Sequence, residues 1–285
     1  MKDLAIVVDS ACGLDKKQAE LYGYYFLPLQ IEIDNVTYND GIDLTAKNFF
    51  EKFSLKSENV KTSATPLGYS KNLLEQLSKE YKRVVVFPIS TKLSSQYNSL
   101  NLIAQDFDNV FIVESVDVAQ TILFRVDKFL ETYKKEGFEK AFEISSKWID
   151  DEMDITLLPK YNDYLVKGGR LSKSAAALAK LLQIVPFIRF TNGSLEKQGK
   201  GRVFNKSLQN VVDEKMQNQN EEDQIIILGE KNSDVEALIT YIQSTYKIQS
   251  FNMPIPNVIS IHTGPEAVVI IKGPKLKDKM EKYLK

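Results

Sequence analysis

The sequence predicts an α/β protein in which a parallel-sheet N-terminal domain precedes a second domain of α+β type. Its 285 residues suffice for about two domains of ordinary size. In the first half, short runs rich in Val and Ile alternate with helical patterns, which is typical of parallel strands joined by crossover helices. In the second half, an Asn-Gly pair separates two β-rich runs, which is typical of an antiparallel hairpin. The alternation of strands and helices in the first half predicts a Rossmann-like N-terminal domain.

The strands of the first half are predicted from apolar runs that do not alternate with polar residues. Such runs fit strands that helices cover on both faces, and they lie at residues 4–8, 83–87 and 109–113. Helical periodicity fills the sequence between and after these runs. The predicted helices are 44–53, 67–77, 95–105, 118–133 and 138–148.

The second half is predicted to combine antiparallel strands with two long helices. Strands are expected at 155–158, 186–191, 194–202 and 224–228, with Asn192-Gly193 as the hairpin turn. Helices are expected at 207–217 and 234–246, a strand pair at 258–262 and 267–272, and a surface helix at 275–285. We place the domain boundary near residue 155, which gives an N-terminal domain 1–155 and a C-terminal domain 156–285.

Composition excludes several classes of function. The 37 basic and 38 acidic residues give a net charge of -1, whereas a protein that binds nucleic acid needs a surplus of cations. With Cys12 and His262 as its single Cys and His, the chain cannot fill a Cys/His zinc cage or form an internal disulfide. The apolar run at 4–8 is too short for a signal-peptide core. We expect a cytoplasmic protein without metal or cofactor.

Three loops are candidates for binding a small anion. Asp9 and Ser10 follow the first strand, and loops rich in Ser and Thr occupy residues 61–66 and 90–95. Open sheets bind ligands at the carboxyl ends of their strands, so we expect all three loops at one sheet edge. Hydroxyls and unpaired amides at a helix N-terminus suit a carboxylate or phosphate. The alternative is that these residues only cap helices, with Thr65 as an N-cap and Pro66 as the first helical residue.

Two further segments carry polar groups of interest. Gly168-Gly169-Arg170 combines a flexible backbone with a guanidinium that can hold a carboxylate or phosphate. The sequence contains neither GxxxxGK[ST] nor GxGxxG, so a standard nucleotide-binding loop is not predicted. His262 is expected at the end of an apolar strand, where it either bonds a backbone partner or donates into the cleft between the domains.

Taken together, the motifs resemble those of the DegV family of bacterial fatty-acid-binding proteins, the acyl-carrier subunits of fatty-acid kinase. The resemblance covers nearly the whole chain and rests on short segments that occur in the family's order. They are DSACGL at 9–14, KTSATP at 61–66, ISTKLSSQY at 89–97, YLVKGGRLS at 164–172 and HTGP at 262–265.

The resemblance implies a two-domain protein that holds one fatty acid between its domains. Thr62 and Ser94 match the positions that bind the carboxylate in the family. Ser95, which replaces the family's usual Gly, offers its amide, and Ser63 and His262 complete the expected binding set. Three residues match positions near the head-group opening, where the kinase must reach the carboxyl: Arg170, Arg202 and also His262. Glu266 replaces a customary small residue after the HTGP segment and adds a negative charge there.

The implied function is that of a lipid-binding carrier without its own catalysis. It would hold a long-chain acid such as palmitate or oleate, present the carboxylate to the kinase and make transient membrane contact. Burial of about fourteen methylenes at about 0.8 kcal/mol each supplies the affinity before the costs of binding are deducted. The alternative is an acyl hydrolase with Ser94 as nucleophile, His262 as base and Asp9 as orienting acid, although the sequence lacks a G-x-S-x-G elbow.

Overall fold

The computed structural model describes residues 1–148, 153–180, 183–217, 219–276, 280 and 282–283. The chain divides into two compact units. The first comprises Met1–Trp148 and Pro256–Ile261, and the second comprises Ile149–Ile255 and His262–Lys285. In the part of the chain that the structure describes, every helix is too short or too polar to cross a lipid bilayer.

The elements alternate between strands and helices along the chain. The strands are β1 (Lys2–Asp9), β2 (Tyr25–Leu27), β3 (Gln30–Ile33), β4 (Val36–Asn39), β5 (Val60–Ser63), β6 (Tyr81–Phe87), β7 (Val110–Ile112), β8 (Asp154–Leu158), β9 (Val185–Thr191), β10 (Ser194–Gly201), β11 (Asp223–Leu228), β12 (Ser250–Met253) and β13 (Val268–Pro274). The helices are α1 (Lys16–Leu21), α2 (Phe49–Lys52), α3 (Leu67–Glu80), α4 (Gln96–Ala104), α5 (Thr121–Glu136), α6 (Phe138–Ser145), α7 (Asn162–Gly168), α8 (Lys173–Ala179), α9 (Phe204–Met216), α10 (Ser233–Tyr246) and α11 (Asn257–Thr263), with a 3-10 turn at Ser10–Cys12.

A parallel sheet of order β2-β1-β6-β7 forms the centre of the first unit. On one face, Val7 and Val84 pack in a core that includes Leu74 of α3. On the other face, Phe87 meets Phe129 of α5 with ring centroids 5.4 Å apart. Helices therefore cover both faces, as the unalternated Val and Ile runs predict, and the predicted α/β fold class is confirmed.

The second unit contains a sheet of order β10-β9-β8-β13-β11-β12. Its neighbouring strands are antiparallel except β11 and β12, which are parallel. Asn192 and Gly193 both have positive φ, 43° and 76°, which is the turn geometry expected of an Asn-Gly hairpin. The predicted β9–β10 hairpin is confirmed, and α9 and α10 pack their buried residues against one face of the sheet.

The predicted strand at 258–262 is wrong, because these residues form helix α11. The β-branched run favours a strand, but Pro256 starts a helical turn in which its carbonyl accepts the N–H groups of Ile259 and Ser260, both at 2.9 Å. Val258 and Ile261, three residues apart, are the buried apolar positions of this run. A short apolar run fits either period, and its flanking residues decide between them.

Other corrections are smaller. The predicted helix 44–53 shortens to α2, which begins only after a turn centred on Asn48. A separate antiparallel sheet of order β4-β3-β5 was not predicted. Most of the helix predicted at 275–285 lies outside the described residues.

Two buried carboxyl groups organise the carboxyl edge of the parallel sheet. Asp9, at the end of β1, accepts hydrogen bonds from the N–H groups of Ala11 (3.1 Å) and Ile89 (2.8 Å). Asp40 accepts from the Asn257 amide (2.9 Å) and from the hydroxyl of Ser10. Burial raises the pKa of each carboxyl group to about 7, although the hydrogen bonds oppose this shift. These bonds fix the segments that follow β1 and β6.

We expect Asp9→Asn to destabilise the folded protein, and to do so more at pH 5 than at pH 8. Asn keeps one acceptor oxygen, so one backbone N–H loses its partner at a cost of about 1–3 kcal/mol. The folded-state pKa of Asp9 lies above its unfolded value, so the wild-type protein loses stability as the pH rises from about 4 to about 7. Because Asn does not titrate, the difference in the free energy of unfolding between the wild type and Asp9→Asn narrows over the same range. Urea unfolding at both pH values measures the effect. The exposed control Asp108→Asn should change stability by less than about 0.5 kcal/mol; equal effects of the two variants would contradict the prediction.

Candidate functional site

The loop between β6 and α4 is folded around Ser90. The Ser90 N–H donates to the Asp117 carbonyl at 2.8 Å, and its hydroxyl accepts from the Lys92 N–H at 3.2 Å. Its carbonyl accepts the N–H groups of Leu93 (3.0 Å) and Ser94 (3.2 Å). This pattern places Ser94 and the exposed Ser95 directly before α4.

Gln96 joins this loop to the 61–66 loop. Its side chain is buried, and it both donates to the Thr65 hydroxyl and accepts the Thr65 N–H, each at 2.9 Å. Its own N–H donates to the Ser94 hydroxyl at 3.2 Å. The two predicted hydroxyl-rich loops are therefore brought together, and the residue that joins them was not among the predicted site residues. An amide at the first position of a helix carries no clear signal in the sequence.

The sequence predicts that the 61–66 segment follows a strand of the parallel sheet. In the structure it does not. Its first residues belong to β5, where Thr62 pairs with Ile31 and the exposed Ser63 donates to the Gln30 side chain at 3.4 Å. The predicted N-cap at Thr65 is also wrong. Pro66 occupies the cap position of α3 without a side-chain bond, because the Thr65 hydroxyl accepts from Gln96 instead.

These loops can bind an anion through neutral donors. Thr62 and Ser94 are half-buried hydroxyls, and α4 begins beside Ser94, so its first N–H groups add the positive end of a helix. Hydroxyl and amide donors to a carboxylate form hydrogen bonds stronger than neutral pairs. In the described residues, no group of three or more His, Cys, Asp or Glu side chains is arranged to hold a metal ion.

Arg170, Arg202 and His262 belong to the second unit. The half-buried His262 ring lies against Gly168, where an added Cβ would be 3.0 Å from Nδ1. Arg170 donates to the Gly168 carbonyl at 2.6 Å. Burial, with a smaller effect from the Arg170 charge, lowers the pKa of His262 to about 4. His262 is therefore a neutral imidazole near pH 7, while Arg202 is exposed directly after β10.

The residues of the hydrolase alternative have other partners. Both carboxyl oxygens of Asp9 accept backbone N–H groups of the first unit, and the Ser94 hydroxyl accepts the Gln96 N–H. Burial raises the pKa of the Cys12 thiol, which disfavours a reactive thiolate at this position. These contacts assign Asp9 a structural role.

Comparison with known proteins identifies the family. The family model described as "Uncharacterised protein, DegV family" matches residues 3–273. The chain belongs to the DegV family. A DegV domain-containing protein of Mycoplasmopsis pulmonis is 42% identical over 271 residues, which cover 94% of this chain and 93% of the relative. The resemblance predicted from the sequence is thus confirmed.

Two DegV-type crystal structures with named ligand classes have the same fold. A fatty-acid-binding DegV family protein of Streptococcus agalactiae is 25% identical, with a TM-score of 0.80 over 96% of this chain and 100% of the other. A stearic-acid-binding protein of Eubacterium ventriosum is also 25% identical, with a TM-score of 0.78 over 98% of this chain and 100% of the other.

The lone His makes the pKa of His262 directly measurable. We expect the single imidazole Hε1 signal in the proton NMR spectrum to titrate near pH 4, well below the ordinary 6.5. Arg170→Gln should move the midpoint upward, because it removes a nearby positive charge. A wild-type midpoint near 6.5 would show that the ring is not buried against Gly168.

Proposed function

We propose that the protein is a cytoplasmic carrier that binds one long-chain fatty acid and presents its carboxylate to a separate fatty-acid kinase for acyl-phosphate formation. The observation that carries the proposal is the junction at Gln96, which joins two loops of neutral donors at the start of a helix. The fatty-acid-binding relatives of Streptococcus agalactiae and Eubacterium ventriosum, similar over nearly the whole chain, support the same ligand class.

In this proposal the carboxylate is bound by Thr62, Ser63, Ser94 and Ser95, with His262 as a further donor. A carboxylate that leaves water must keep its hydrogen bonds, because an unpaired buried charge is costly. Hydroxyls and amides satisfy it without a cation that would lower its free energy further. The apolar tail then supplies most of the affinity.

The kinase is proposed to approach at Arg170 and Arg202. Both side chains are exposed, and a guanidinium can hold a phosphate or carboxylate with two parallel hydrogen bonds. The carrier itself performs no chemistry in this proposal, since the kinase transfers a phosphoryl group from its own phosphate donor: a carboxylate oxygen of the fatty acid forms the new P–O bond, and the remainder of the donor leaves.

Protein purified from a bacterial host should carry fatty acid, and head-group variants should lose it. Thr62→Val and Ser94→Ala each remove one hydrogen bond to the carboxylate, worth about 1.5–3 kcal/mol, so the Kd for palmitate or oleate should rise about 10- to 100-fold. Native mass spectrometry detects the bound lipid, and titration with a fluorescent fatty acid gives the Kd.

Two matched controls accompany this experiment. Thr37→Val changes an exposed Thr on β4, which borders β3 on the side opposite β5, and Ser99→Ala changes a Ser inside α4. Both should bind fatty acid as the wild type does. An empty wild-type protein that takes up neither palmitate nor oleate would refute the proposed function.

Variants of the kinase-docking residues should affect phosphorylation more than binding. Arg202→Ala and His262→Ala should reduce kcat/KM of the kinase for the loaded carrier about tenfold or more, because each removes a polar contact worth about 1.5 kcal/mol, and should impair phosphorylation more than they weaken the binding of fatty acid. Arg189→Ala, which removes another exposed cation of the second unit, serves as the control. Loss of fatty-acid binding equal to the loss of phosphorylation would contradict this assignment.

A further inference from the structure

One face of the α7 segment contacts the turn that follows His262 at three points. Tyr161, Tyr164 and Gly168 are spaced three and four residues apart, so they lie on one side of the helix. Their partners are Glu266, Gly264 and His262, which run in the opposite direction. The Tyr161 hydroxyl donates to Glu266 Oε1 at 3.1 Å.

The other two contacts leave little room for movement. A Cβ at Gly264 would lie 2.7 Å from Cδ2 of Tyr164, and one at Gly168 would lie 3.0 Å from Nδ1 of His262. A separation under 3.0 Å cannot be accommodated without a shift of the neighbouring atoms. Gly264 has a φ of 81°, which a residue with a Cβ adopts only at a cost. The register between α7 and the turn therefore determines where the His262 ring lies.

Lys160 stabilises the last of these contacts, the one between Tyr161 and Glu266, which lies farthest from His262. Its ammonium forms ion pairs with Asp234 of α10 and with Glu266 Oε2, the latter at 3.3 Å. It also lies 5.1 Å from the ring centroid of Phe204, the first residue of α9. The side chain is half-buried, so water screens these contacts only in part. One lysine thus ties the turn to the starts of two helices.

Glu266 has a strained backbone that these contacts hold in place. Its φ is 57°, in the left-handed region that residues other than Gly, Asn and Asp rarely adopt. Such a conformation persists only where the surrounding structure over-determines it, and it often accompanies a functional site. The bonds from Lys160 and Tyr161 to its carboxylate are contacts of this kind.

We propose that Lys160 and Glu266 are positioning residues that hold His262 in place through α7 and the 263–266 turn. Only the role of His262 depends on the proposed function. The positioning of its ring by Lys160 and Glu266 does not. The placement of the ring can be tested without ligand or kinase.

The test uses the single His signal of the full-length, unliganded protein. In Glu266→Ala and in Lys160→Met, the half-titration pH of His262 should move upward by about one or more, toward 6.5, because a looser turn exposes the ring to water. A purely electrostatic effect of Glu266 would have the opposite sign, since loss of a nearby anion lowers the pKa of a His. An unchanged or lowered midpoint in both variants would overturn the proposal.

Three further measurements separate positioning from a general loss of structure. Glu266→Gln keeps an oxygen for the Tyr161 hydroxyl and should give a smaller shift than Glu266→Ala. Glu236→Ala removes an exposed carboxylate from the first turn of α10 and should leave the midpoint unchanged. If Glu266→Ala fails to fold by circular dichroism, Glu266→Gln decides, because it loses the ion pair with Lys160 while the electrostatic effect of removing the anion would lower the midpoint: a raised midpoint supports positioning, and an unchanged or lowered one overturns it.

With kinase and fatty acid, Lys160→Met and Glu266→Ala should lower kcat/KM for phosphorylation about fivefold or more and change the Kd for fatty acid less than about twofold. A fall in phosphorylation without a His262 shift would refute positioning. If the wild-type protein binds no fatty acid, the proposed function fails, while the NMR titration still decides the role of Lys160 and Glu266.

Discussion

The burial of two carboxyl groups at the end of the parallel sheet constrains the rest of the first unit. A buried carboxyl group is tolerated only when it is hydrogen-bonded. Asp9 accepts the backbone N–H groups of Ala11, which follows β1, and of Ile89, which follows β6. Ile89, one of its partners, is followed directly by Ser90, on which the 90–95 loop is folded. The geometry of the loop therefore starts from a contact made in the core. Asp40 does the same for the segment at Asn257, which explains why a piece of chain so late in the sequence belongs to the first unit.

Hydrogen bonds between uncharged groups then join the 90–95 loop to the 61–66 loop. Gln96 uses its amide oxygen and nitrogen on Thr65 and its backbone N–H on Ser94. Each of these groups would cost free energy if buried without a partner, so the two loops stabilise each other. The Ser94 hydroxyl, which accepts the Gln96 N–H, is held by this framework. In the proposed function, a donor that is held in place before binding lowers the entropic cost of binding.

The sequence predicts the framework of the fold better than the details of the site. The unalternated apolar runs at 4–8 and 83–87 fit strands covered on both sides, and Asn192-Gly193 favours the turn that it forms. The run at 258–262 carries no such information, because Pro256 and the spacing of Val258 and Ile261 decide for a helix. Short strands β2 to β5 escape notice since tertiary pairing, rather than local propensity, forms them. Gln96 and Lys160 could not be found either, because their importance lies in partners 31 and 106 residues away in the chain.

In the proposed function, the neutral state of His262 suits a donor that leaves the carboxylate reactive. A protonated imidazole would pair with the anion and hold its charge, which would weaken it as a nucleophile toward a phosphoryl group. Burial against Gly168, aided by the charge of Arg170, keeps the ring neutral near pH 7. It can then donate one hydrogen bond without adding a charge. Two cations of the second unit, Arg170 and Arg202, are exposed instead, where the proposed phosphate-bearing partner can reach them. In the proposed function, neutral donors for the carboxylate and exposed cations for the phosphate meet one requirement, that the fatty acid be bound tightly and its carboxylate still react.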